Sequence, residues 1–175
     1  REGSSGFIFP WIPYDEHDNH IKFIEKLSYP ITTTVKRNSQ MKRYFDVNGI
    51  SGMDVNNMLP AQIKYFLEAG YTKVAIIGPN NTNNKTFNER LAAYLSAMAE
   101  LNMETYVGTV NHTVTQVDNL LKRWKKHAGK MAIICYDDTH ALRILTSMHK
   151  HGLQATDDFG IMGFNNIEQS VYSDP

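Results

Sequence analysis

The apolar positions of the chain fall into two rhythms. Unbroken apolar runs at residues 74–78 and 131–136 have the length of strands buried on both faces, and the β-branched run at 31–35 also reads as a strand. Further strands are predicted at 105–110 and 159–164, and an opening one at residue 7, stopped by Pro10. Between these runs the apolar residues recur every three or four positions, which is the spacing of a helix face. Ile21, Phe23, Ile24 and Leu27 mark a helix over 18–27, and Ile63, Phe66 and Leu67 one over 54–69 that Gly70 stops. Leu91, Tyr94, Leu95 and Met98 mark a helix over 87–101, and Val117, Leu120, Leu121 and Trp124 one over 114–127. A last helix covers 139–151 and ends at Gly152. Pro60 is expected in the first turns of its helix or at a kink. Residues 36–52 carry no clear period and read as a connection.

Strand and helix alternate, the strands are continuously apolar and the connections are short. That pattern predicts an α/β fold, a parallel sheet with helices on both faces. Such a sheet brings the carboxyl ends of its strands to one edge, where ligands bind. Polar residues stand at those ends. Asp137 and Asp138 follow one strand, Asn165 and Asn166 another, and the Asn-rich loop 80–84 a third. Such residues also cap helices, and Asp138, just before Thr139, is expected as a cap, whereas Asn165 is expected to face a ligand. Arg90 lies early in its helix, where a guanidinium can donate paired hydrogen bonds into a cleft. On residue type alone a solvated arginine is the commoner outcome. Trp11 and Phe87 stand just past strand ends, placed either to stack on a sugar or base or to pack in the core. Gly160 and Gly163 allow close backbone approach within the last strand.

Composition narrows the function classes. The 175 residues carry 42% hydrophobic and 21% charged residues, ordinary for a globular chain. Lys+Arg and Asp+Glu are equal at 18 each, so this chain lacks the basic footprint of a nucleic-acid surface. The basic run at 122–127 is expected as a solvated helix end. The single cysteine, Cys135, excludes an internal disulfide framework and a cysteine zinc site, and reads as a small buried hydrophobe. The histidine pairs 17/20 and 149/151, and His140 with them, fall in polar stretches expected to be exposed, so no metal site and no cofactor are expected. No G-x-S-x-G, P-loop or H-E-x-x-H motif occurs, so catalysis finds no support. No apolar run is long enough to span a bilayer, and the opening R-E-G-S-S-G is not a signal peptide.

Five segments, in order, resemble the LacI/GalR-type transcriptional regulators. I-M-G-F-N-N-I-E-Q-S-V-Y-S-D-P at 161–175 resembles the family's V-G-F-D-D-I…Y-x-x-P, and Y-F-L-E-A-G-Y-T-K-V-A-I-I-G at 65–78 resembles H-L-I-x-x-G-H-x-x-I-A-x-I-G. E-R-L-A-A-Y at 89–94 resembles x-R-L-x-G-F, I-I-C-Y-D-D-T-H-A-L at 133–142 resembles A-x-x-x-N-D-x-x-A-x-G, and G-F-I-F at 6–9 resembles D-G-I-I. The resemblance implies a type I periplasmic-binding-protein-like fold whose two lobes close on a small ligand, usually a sugar or nucleobase. Residues 1–50 would be part of the first lobe and 51–175 the second lobe, lacking its closing elements. The chain is thus expected to be truncated at both ends, with the family's helix-turn-helix lying upstream.

By the same resemblance Arg90 would grip the effector, Asn165 would stand for the family's aspartate at the end of the last strand, and Asp137 for the Asn/Asp before the dimer helix. Thr86 and Phe87 would line the cleft, with Trp11 on the first-lobe side. The implied function is a non-enzymatic, sugar-sensing domain of a cytoplasmic bacterial regulator. It would reach DNA through the absent helix-turn-helix, and would form a homodimer through the helix at 139–151. The alternatives are a periplasmic sugar-binding protein serving transport and an α/β enzyme with a diffuse active site. Three departures stand out. Asn165 lacks the family's charge, Val35 replaces a frequent acidic residue with Lys36 beside it, and Met58 and Leu59 replace paired glycines. They point away from an ordinary neutral hexose.

Overall fold

The computed structural model describes residues 7–9, 31–33, 55–81, 83–111 and 114–173. The chain divides into two compact units, Arg1–Asp54 and Val55–Pro175. In the first unit, strands β1 (Phe7–Phe9) and β2 (Ile31–Thr33) pair in parallel, with Phe7 opposite Ile31 and Phe9 opposite Thr33. The helix expected at 18–27, the connection at 36–52, Trp11, Val35 and Lys36 lie outside the described residues.

The second unit holds the predicted parallel sheet. Its strands are β3 (Lys73–Pro79), β4 (Tyr106–Val110), β5 (Met131–Cys135) and β6 (Phe159–Met162), in the order β4-β3-β5-β6. Every pairing is parallel, with Ile77 opposite Cys135 and Ile134 opposite Met162. The helices are α1 (Val55–Glu68), α2 (Lys85–Glu100), α3 (Val114–Trp124), α4 (Asp138–Lys150) and the short α5 (Glu168–Val171). A helix therefore follows the last strand, where none was expected.

The alternation of side chains along the central strands explains two cores. Val74 and Ile76 of β3, with Ala132 and Ile134 of β5, pack against Leu59, Ile63 and Phe66 of α1 and Tyr94 and Met98 of α2. Ala75 and Ile77, with Ile133 and Cys135, face the other way onto Leu120, Leu121 and Trp124 of α3 and Ile144 and Met148 of α4. A strand covered on both faces must be apolar at every position, which is why β3 and β5 lack the polar alternation of a half-exposed strand. Each fully buried Ile or Leu of these layers contributes roughly 1.5–3 kcal/mol of transfer free energy.

Helix ends follow local chemistry. Gly70 (φ +87°) and Gly152 (φ +63°) take the left-handed conformation that stops α1 and α4. Pro60 lies in the second turn of α1, inside the helix. Two helix faces differ from expectation. Leu95 is 40% exposed, because the buried stripe of α2 runs through Ala93, Tyr94, Ala97 and Met98. α3 ends at Trp124, short of residue 127, and leaves the following Lys125, Lys126 and His127 exposed.

Candidate functional site

The carboxyl edge of the sheet is built from three strand ends. At the first, β3 gives way to a polar loop, and Asn84 caps α2 by accepting a hydrogen bond from the Phe87 N–H at 2.8 Å. Thr86 is half-buried in the first turn. The Phe87 ring is buried against Gly78, where a Cβ would overlap it, and meets the Tyr136 ring edge-on at 6.0 Å. Phe87 is thus core packing that backs Tyr136, and offers little open face for stacking.

One turn along α2, Arg90 is 4% exposed, which corrects the expectation of a solvated arginine. Its Nη1 donates to the carbonyl of Tyr136, just past β5. Its guanidinium carbon lies 5.0 Å from the centroid of the Tyr136 ring and 4.1 Å from that of Phe164, just past β6. Arg90 thereby ties one strand end to another by cation–π and hydrogen-bond contacts. Burial lowers its pKa from the ordinary arginine value, while Tyr136 and the Asp137 carboxylate pull it back up. Arginine's intrinsic basicity keeps the group charged at neutral pH.

At the second strand end the cap of α4 is Asp137, not Asp138 as expected. Asp137 Oδ1 accepts from the His140 N–H at 2.8 Å and lies 2.7 Å from His140 Nδ1. Asp138 does a different task. Its N–H donates to the Phe164 carbonyl at 2.9 Å, and its Oδ2 accepts from the Ile167 N–H at 2.9 Å. Those bonds join the start of α4 to the loop after β6, and Gly163 makes room for them, since a Cβ there would overlap Asp138 Oδ1. At the third strand end Asn165 (φ +93°) and Asn166 (φ +51°) are exposed and both have positive φ. Asparagine tolerates that region better than most residues, yet two in succession store backbone strain.

Arg90, Asp137, Asn165, Thr86 and Phe87 therefore all lie at one edge of the sheet, and Trp11 lies outside the described residues. Sequence reasoning missed Tyr136 and Phe164, which hold Arg90. It also missed His140, which is 5% exposed rather than solvated. The signal for His140 was its position three residues after an N-capping aspartate, where a helix turns its first side chains back over the cap. Cys135 is fully buried in β5, and that burial pushes its thiol pKa up. Among the described residues no group of three His, Cys, Asp or Glu could hold a metal ion, and no helix is long and apolar enough to cross a membrane.

The model of the periplasmic binding protein-like domain matches residues 63–175. The HTH-type transcriptional repressor PurR of Vibrio campbellii is 31% identical over 119 residues, which cover 64% of this chain and 34% of the relative. The chain belongs to the periplasmic binding protein-like domain family, as a LacI/GalR-type effector-binding domain. It spans about a third of the length of the curated relatives it matches. Solved structures share this fold. A probable maltose operon transcriptional repressor malR from Staphylococcus superposes with a TM-score of 0.73 at 18% identity, covering 93% of this chain and 57% of that one. A regulatory protein of the LacI family from Chloroflexus aggregans gives 0.70 at 20% identity, covering 97% and 59%.

Proposed function

We propose that this effector-binding domain senses a small molecule, a sugar, for a bacterial transcriptional regulator and catalyses nothing. The buried Arg90 carries the reading. A cation held at a sheet edge by two aromatic rings and a carbonyl is positioned for hydroxyl or carbonyl oxygens. In this reading residues 1–50 are part of the first lobe and 51–175 the second. Arg90 donates to the effector, and Asp137 and Asn165 accept from its hydroxyls. Thr86 lines the site, Phe87 backs Tyr136, and Trp11 adds apolar contact.

The effector changes DNA affinity by binding one lobe arrangement better than another, since only a difference in affinity moves such an equilibrium. DNA is contacted by a helix-turn-helix domain elsewhere in the regulator, and the protein works in the cytoplasm. Homodimerisation uses the helix at residues 139–151. Ala141, Ile144 and Met148 of that helix are committed to the sheet, while Leu142 and Leu145 are half-buried beside a cavity of about 210 Å³. The curated relatives are named as repressors, which favours regulation over transport.

A thermal-shift screen of pentoses, hexoses and nucleobases tests the reading. A ligand at a hundredfold excess over its Kd adds about 2.7 kcal/mol to stability. A sugar should raise the melting temperature of the wild type and leave Arg90→Ala unmoved. A shift that survives Arg90→Ala would remove this edge from the site.

A further inference from the structure

His140 is buried in the first turn of α4. Its Nδ1 lies 2.7 Å from Asp137 Oδ1, and its ring meets the Tyr136 ring edge-on at 5.6 Å. The same Tyr136 holds Arg90 through its carbonyl and its ring, and its hydroxyl accepts from Asn84 Nδ2 at 3.4 Å. His140 is thus part of the cluster that fixes the candidate site. An ionised carboxylate only accepts hydrogen bonds, so the proton of a neutral His140 ring sits on Nδ1. Nε2 is then a lone-pair acceptor. It is buried and has no hydrogen-bond partner among the described residues. Buried polar atoms are almost always bonded, and an exception beside a binding site asks for a partner.

We propose that His140 is a specificity-determining residue of the effector site, its Nε2 accepting a hydrogen bond from an O–H or N–H of the bound molecule. The inference rests on the effector-site reading given above. Asp137 and His140, joined through Oδ1 and Nδ1, would each offer the effector an acceptor, with the Arg90 guanidinium as the donor. That set selects a ligand bringing two neighbouring donors and an acceptor. Adjacent hydroxyls of a sugar fit. A carboxylate or a fully ionised phosphate directed at Asp137 and His140 brings no donor and meets a like charge, so this pair disfavours it.

Two measurements on the whole chain test this. A long-range ¹H–¹⁵N correlation spectrum reports the tautomer of His140, and a non-protonated Nε2 is expected. A protonated Nε2 in the free protein at neutral pH would overturn the proposal. Titration calorimetry with D-ribose, D-glucose and adenine then compares wild type, His140→Leu and His140→Gln. For the best-bound probe, His140→Leu should weaken affinity about tenfold or more, because a polar ligand group is left facing a hydrocarbon. His140→Gln, which restores an acceptor, should recover most of that loss. Affinity unchanged in a folded His140→Leu would overturn this inference and leave the effector site standing. A wild type that binds none of the probes while its fold is intact would count against the effector reading itself, and against His140 with it.

Discussion

The guanidinium carbon of Arg90 stands 4.1 Å from the centroid of the Phe164 ring, so a helix following β3 is clamped to the residues following β6. The clamp combines a cation–π contact with a hydrogen bond to the Tyr136 carbonyl. Arg90→Ala should therefore cost about 2–3 kcal/mol in urea unfolding, from the lost ring contact and the buried carbonyl left without its donor. Phe164→Leu should lose the smaller share, about 1 kcal/mol, because the hydrogen bond survives. Equal losses in the two variants would mean that the ring contact carries the clamp.

The fold was legible because its two central strands are covered on both faces. Residues 74–78 and 131–136 announce this by unbroken apolarity, and the helices between them by their spacing. The site was half legible. Asp137 and Asn165 stand out as polar residues at strand ends. Arg90 does not reveal its burial, because that burial comes from Tyr136 and Phe164, which lie far away in the chain. The Asp137–Asp138 pair shows another limit. Either residue can cap a helix, and the choice was made by the loop after β6, whose Ile167 N–H takes Asp138 for itself.

Asp118 of α3 is buried beside α4, accepting from Ser147 Oγ and paired with Lys150 Nζ at 3.2 Å and His151 Nε2 at 3.3 Å. The Ser147 hydrogen bond, aided by His151 and Lys150, lowers its pKa from 3.8 to about 2. A carboxyl whose folded pKa is depressed contributes stability that is complete above its unfolded value and is lost as pH falls through the folded one. The α3–α4 packing should weaken between about pH 4 and pH 2 for this reason. In melting curves taken across that range, Asp118→Asn should flatten the acid limb. Asp158, also held low by the Gln154 N–H and by Lys125, should keep a residual slope in that variant.

Asn165→Gly separates stability from function. Glycine adopts a φ of +93° without the Cβ clash that asparagine bears, so the variant should be as stable as wild type or gain up to about 1 kcal/mol. If Asn165 contacts the effector, the same variant should lose ligand-induced stabilisation. Gaining stability while losing binding is the mark of a strained residue kept for its side chain. A variant that binds undiminished would assign Asn165 to the loop alone.

Gly163→Ala should be more damaging than an added methyl suggests. Its Cβ would overlap the Asp138 carboxylate, whose bond to the Ile167 N–H closes the loop after β6. A loss of about 1–3 kcal/mol is expected from the overlap and the displaced bond. Hydrogen exchange should localise the effect, with the Ile167 amide losing protection before the amides of β3.

The single thiol of the chain lies in the middle of the sheet, walled in on both sides by apolar layers. Cys135 in wild-type protein is therefore a built-in clock. A thiol-modifying dye can reach it only when the sheet comes apart, so its labelling rate measures how often that happens. Each variant above can be timed against the same residue without adding a probe, and an effector that braces the sheet edge would slow the clock.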